Sequence, residues 1–249
     1  MRWLWNFWRK LHAECLNEDP RPGELAAEPL LALLTAAVSL TLINALAQSP
    51  AYERTWSGWV APENQELGGL VHWAAVTVAC HTLPALCVLA LQRRNPLDYG
   101  LRMRGMLKHL WIYLAMIAIM APVVYLASTR PEFRERYPFY KQLTRSWADI
   151  LIWEGCYTLQ FISLEFFFRG FLLFSLRRKL GVYGIFVMMV PYCMIHFQKP
   201  TLETFAAIIA GIALGTVALA TRSIWWGAGL HIAVAWSMDT LATWGRDAL

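Results

Sequence analysis

The sequence predicts an all-α protein that crosses a membrane several times. Of its 249 residues, 57% are hydrophobic and only 16% are charged, where a soluble domain carries about 25% charge. The apolar residues come in long blocks, most of them reaching the roughly 17–25 residues that a helix needs to cross a hydrocarbon core. Thirteen tryptophans suit a chain with two membrane–water interfaces to line.

The elements follow in order. Residues 1–28 read as an interfacial amphipathic arm, rich in Trp3, Trp5, Phe7 and Trp8 and in Arg2, Arg9 and Lys10. Pro20, Pro22 and Gly23 end it. It lacks an apolar stretch closed by a small-residue cleavage site, so no cleavable signal peptide is expected. Residues 29–146 carry three spans, at 29–47, 69–91 and 107–127. Residues 147–249 carry four more, at 147–176, 182–197, 202–220 and 224–244, for about seven transmembrane helices in all. The block 147–176 would reach about 45 Å as a helix, against a core of about 30 Å. It is therefore expected to tilt, to begin in the interface at Trp147, or to bend at Gly155 or Gly170.

The net charge of +5 lies mainly in short segments between the blocks. That pattern suits topology and lipid headgroups, and no basic patch falls on a soluble element that would bind nucleic acid. With the N-terminus inside, 13 lysines and arginines fall on inner segments and 8 on outer ones, which predicts a cytoplasmic N-terminus. The five cysteines form no CxxC pair and read as small buried hydrophobes; Cys80 and Cys87 share a helix face.

Ionisable residues inside spans cost about 2.5–3.5 kcal/mol at a helix centre, so each needs a reason. Glu165 and Arg169 stand at i,i+4 on one face, acid first. That spacing fits a structural ion pair, and equally an arginine that holds a glutamate for chemistry. His196 lies late in the fifth span, and His231 lies two turns into the last. Asp239 is two turns further along the face of His231, placed to line the same cavity or to anchor the span end. His72 and His81 face opposite sides and read as packing residues. Glu154 lies near the face of Glu165 but three turns away. A carboxylate and an imidazole can share the deprotonation of a water that attacks a peptide carbonyl, with a second imidazole at the oxyanion. A zinc held by the same three groups is the other chemistry, but the HExxH helix that usually carries one is absent. No serine or cysteine sits in a nucleophile motif.

Three segments together resemble the CPBP family, the CAAX proteases and bacteriocin-processing proteins also called Abi. They are Leu164-Glu165-Phe166-Phe167-Phe168-Arg169-Gly170, Tyr192 to His196, and His231 to Ala235. The family pattern is Glu-Glu-x-x-x-Arg, an aromatic four residues before a His, and a His followed four residues later by Asn or a small residue. The resemblance covers about Trp147 to Trp244. It implies an intramembrane endopeptidase of glutamic type that needs no metal or other cofactor. Glu165 would be the general base with His196, His231 the oxyanion donor or water ligand, and Arg169 the residue that orients Glu165. The substrate would be the C-terminal segment of a membrane-anchored protein, prenylated or bearing a sorting signal. Leu164 stands where the family's leading Glu is usual and Ala235 where Asn is usual, so in an active member Glu165 would act alone, and in a myxosortase-like one Asp239 would replace the Asn. The run Glu-Phe-Phe-Phe-Arg-Gly with a late Met238-Asp239 is similar to bacterial myxosortases, which implies a bacterial inner membrane. The same departures also fit a catalytically inactive member that serves as a membrane binding or immunity protein. A transporter would show repeat symmetry or paired interrupted helices, and neither is visible.

Overall fold

A computed structural model describes residues 2–19, 26–103 and 106–247. The expected break at Pro20, Pro22 and Gly23 lies outside the described residues. Among the described residues the regular elements are all helical. They are α1 (Arg2–Leu16), α2 (Ala27–Leu46), α3 (Ser49–Thr55), α4 (Gln65–Leu91), α5 (Leu110–Ser128) and α6 (Pro131–Arg136). Then come α7 (Trp147–Glu165), a π-helical turn (Phe166–Leu172), α8 (Leu173–Leu180), α9 (Tyr183–Met194), α10 (Thr201–Thr221) and α11 (Trp225–Asp247). Short 3₁₀ turns connect several of them.

Five segments are long and apolar enough to cross a membrane: Ala27–Leu46, Pro62–Leu91, Leu107–Ser128, Trp147–Leu180 and Thr201–Thr221. The chain is an integral membrane protein. The other two expected spans are helices that do not meet both criteria. With 12 residues, α9 reaches only about 18 Å. It ends at Met194 rather than near residue 197, because Pro191 weakens its last turn and Pro200 disfavours helix in the residue before it. Although α11 has 23 residues, His231, Ser237, Asp239 and Thr240 lower its apolar content.

The chain divides into two compact units. The first comprises Met1–Val38, Thr82–Met106 and Glu165–Trp225. Within it, α9 packs on α10 along Gly211-xxx-Gly215, where small residues let two backbones approach without a hydrophobic drive. A Cβ on Gly211 would lie 2.9 Å from Met189 Cγ, and one on Gly215 3.0 Å from Ile185 Cγ2. Along its other side α1 lies on α8, burying Leu11 and Cys15. The α8–α9 turn is held by His12, whose Nδ1 accepts the Val182 N–H at 3.3 Å. Gly181 makes that turn at φ +55°, and a Cβ there would fall 2.1 Å from His12 Nδ1. Burial in this packing pushes the Cys15 thiol up to about 11.

Acidic residues near the start of the unit meet the basic ends of its helices. Glu18 pairs with Arg177 at 2.9 Å and with Arg222. Asp19 pairs with Lys179 at 2.8 Å. Glu28 pairs with Arg94 at 2.9 Å and accepts the Tyr99 hydroxyl at 2.5 Å. Burial and the Glu28 carboxylate hold the Tyr99 phenol well above its ordinary value. Partly exposed pairs of this kind contribute about 0–1 kcal/mol each; their service is to fix where helix ends sit.

The second unit comprises Ser39–His81, Leu107–Leu164 and Trp226–Leu249. Its core is aromatic: Trp153, Tyr157, Phe161 and Tyr140 with Leu67, Leu143 and Ala235, flanked by Trp73, Phe139 and Ile232. The charged stretch after α5 is folded. Phe133 and Tyr137 pack against Ala242. The Tyr140 hydroxyl donates to Asp149 Oδ2 at 2.8 Å, and Arg145 holds the same carboxylate through two bonds of 2.5 and 3.1 Å. Burial, then the bond to Asp149, pushes the Tyr140 phenol up to about 12. His72 is tied by Nε2 to the Leu46 carbonyl at 2.8 Å, and His81 is buried.

Candidate active site

Four ionisable or aromatic groups come together in the first unit. Glu165 closes α7, and Arg169 follows within the π turn. A π turn closes its bonds at i→i+5, so it re-aims the side chains beyond it, and such turns recur at functional sites. The turn is fitted to its surroundings at Gly170, where a Cβ would lie 2.6 Å from the Tyr99 carbonyl oxygen. Glu165 and Arg169 are both 0% exposed. Arg169 Nη1 lies 3.0 Å from Glu165 Oε1.

Arg169 has a second support. Its guanidinium carbon sits 3.8 Å above the ring of Tyr192, a cation–π geometry worth about 2 kcal/mol when desolvated. Phe168 meets the same ring edge-on at 5.5 Å. Tyr192 also lies 4.8 Å from the His196 ring. The result is a contiguous series, Glu165–Arg169–Tyr192–His196, built from the π turn and the end of α9.

His196 does not lie on a helix. It sits in the turn after α9, with Nδ1 at 2.8 Å from the Tyr192 carbonyl. A carbonyl can only accept, so Nδ1 carries a proton, and in the neutral form of the ring Nε2 is the basic nitrogen. The His196 carbonyl accepts Thr204 Oγ1 at 2.7 Å, which fastens the turn to α10. Lys199 and Glu203 pair alongside at 2.6 Å. The early end of α9 at Met194 leaves His196 off the helix expected over 182–197.

His231 and Asp239 belong to the second unit. His231 is half-buried, and its ring lies 5.3 Å from that of Phe161 at 21°. Asp239 is 0% exposed and accepts Trp153 Nε1 at 2.9 Å. Glu154 is half-buried on α7. Leu164, at the position of the family's leading Glu, is buried. Among the described residues no three of His, Cys, Asp and Glu are grouped as metal ligands. Sequence reasoning passed over Trp153, Phe161 and the place of Tyr192 under Arg169. Aromatic residues four apart on α7 were the available signal, but in a chain this apolar they read as ordinary packing.

Residues 146–237 match the family model described as Type II CAAX prenyl endopeptidase Rce1-like. No curated protein and no solved structure matches the chain.

Proposed function

We propose that this chain, whose residues 146–237 belong to the Rce1-like CAAX endopeptidase family within CPBP, is a glutamic-type intramembrane endopeptidase. It hydrolyses a peptide bond near the C-terminus of a membrane-anchored protein. The observation that carries the reading is the buried Glu165 carboxylate, held by Arg169 over Tyr192 with His196 against the same ring. A carboxylate removed from bulk water and aimed by a fixed cation is poised to take a proton from a water in the site. His196, with Nε2 as its basic nitrogen, shares that proton and returns it to the leaving amine. His231 donates to the oxyanion of the tetrahedral intermediate. Asp239 supports the helix that bears His231. The Glu165 charge costs least if a polar, water-admitting cavity opens beside it.

In this reading the enzyme lies in a bacterial inner membrane with its N-terminus in the cytoplasm. Support comes from Arg94, Arg177, Lys179 and Arg222, which meet acids near the N-terminus in the first unit and follow the positive-inside rule. Helix α1 rests at the bilayer surface, with Trp3 78% and Trp5 63% exposed. A myxosortase-like substrate, a protein with a C-terminal sorting signal, suits the Glu-Phe-Phe-Phe-Arg-Gly run.

The test expresses the full chain with candidate precursors and follows their masses. Glu165→Ala and His196→Ala each abolish the mass loss if the reading holds; unchanged processing in both overturns it. One observation favours a second reading, an inactive binding or immunity protein: Leu164 is buried and apolar where relatives carry a second carboxylate. That reading expects Glu165→Gln to keep the phenotype.

A further inference from the structure

On α7, Trp153, Tyr157 and Phe161 stand at i, i+4 and i+8 and so share one face. Their rings form a continuous series. Trp153 stacks on Tyr157 at 4.8 Å and 23°, and Tyr157 meets Phe161 at 4.6 Å. Trp73 and Phe139 back the series, at 6.4 Å from Trp153 and 5.9 Å from Tyr157.

Both ends of the series touch α11. At one end the Trp153 indole N–H donates to Asp239 at 2.9 Å. At the other the Phe161 ring lies 5.3 Å from the His231 ring, tilted by only 21°. The two contacts are about 12 Å apart on each helix, 153 to 161 on one and 231 to 239 on the other. The chain senses are opposite, so a single antiparallel register satisfies both. Trp153 and Asp239 are each 0% exposed, and a hydrogen bond shielded from bulk water is hard to exchange. A catalytic imidazole must be held to within about 0.5 Å and 10–20° of its working pose. Its χ2 torsion is soft, and a parallel ring against it removes that freedom.

We propose that Phe161 and Trp153 are positioning residues for His231. Trp153 locks the α7–α11 register through Asp239, and Phe161 sets the plane of the imidazole. The proposal rests on the endopeptidase reading for its effect on rate, but not for its effect on the ring. A purely packing role needs apolar volume at residue 161 and no particular plane. Methionine supplies the volume without the plane, and tyrosine supplies both.

The test uses the full chain in lipid nanodiscs, with ¹⁵N-labelled histidine side chains and the His231 signals assigned through His231→Ala. Phe161→Met is expected to lower kcat by up to about 10²-fold, with KM within twofold and the melting temperature little changed. The His231 ring signals broaden or shift. Phe161→Tyr restores both rate and spectrum. Trp153→Phe, which removes the donor to Asp239, gives the same pattern as Phe161→Met. An unchanged His231 spectrum in Phe161→Met and Trp153→Phe overturns the proposal, whatever the activity. So does a rate loss that only follows the folded fraction. If the wild-type chain cleaves no precursor, the endopeptidase reading fails alone, and the His231 spectra still decide this one.

Discussion

At the scale of single residues, the decisive group is Arg169. It is fully buried, paired to Glu165 at 3.0 Å and seated on Tyr192. Removing one partner of such a pair leaves an uncompensated buried charge and costs about 3–5 kcal/mol, whereas replacing both by apolar residues is often neutral. Arg169→Leu is therefore expected to lower the melting temperature sharply in detergent, and Glu165→Leu with Arg169→Leu to recover most of it without recovering activity. A double variant as unstable as the single one contradicts this coupling. Cys15 makes a second prediction. Its thiol is raised from 9.0 to about 11, so the folded protein holds the neutral form. This stabilisation is complete below about pH 9 and disappears as pH rises through about 11. At pH 8 the thiolate is about a hundredfold rarer than in a free cysteine, and alkylation of Cys15, followed by mass, should be correspondingly slow until the protein is denatured. Glu165, Arg169 and His196 stand out in the sequence because ionisable side chains are conspicuous in an apolar block. Trp153 and Phe161 do not, because an aromatic residue in such a block signals only burial.

At the scale of elements, the long helix is the informative case. The sequence suggests a block too long for a bilayer, with glycine as the place to yield. The structure keeps one helix over Trp147–Leu180 and changes its winding at Phe166–Leu172. No local propensity distinguishes a π turn from an α turn, and the close approach of Gly170 to the Tyr99 carbonyl is invisible until distant segments meet. The early end of α9 is legible in hindsight from Pro191 and Pro200. In α1 the apolar stripe divides its labour. Leu11 and Cys15 face α8, while Trp3, Leu4 and Trp5 at the other end are exposed. We expect those exposed residues to sit at the headgroup level. A spin label at Asn6 should show intermediate depth in nanodiscs, and Trp3→Ser with Trp5→Ser should move it into water. A label equally water-exposed in both proteins contradicts the interfacial placement.

At the scale of the whole molecule, membrane insertion is the most legible property, because it needs only block length and composition. The two-unit organisation is not legible, since each unit is assembled from three separated stretches. The folded stretch after α5 also exceeds what its charges and prolines suggest, because Phe133, Tyr137, Tyr140 and Leu143 turn inward together. The functional account depends on one atom group, the Glu165 carboxylate. The most direct measurement is the cleavage rate of a precursor by purified protein in nanodiscs, wild type against Glu165→Gln. The substitution keeps shape and removes the base. General-base catalysis supplies about 10²–10⁴-fold, so the account predicts a loss in that range with the variant still folded. Cleavage by Glu165→Gln at the wild-type rate would contradict it.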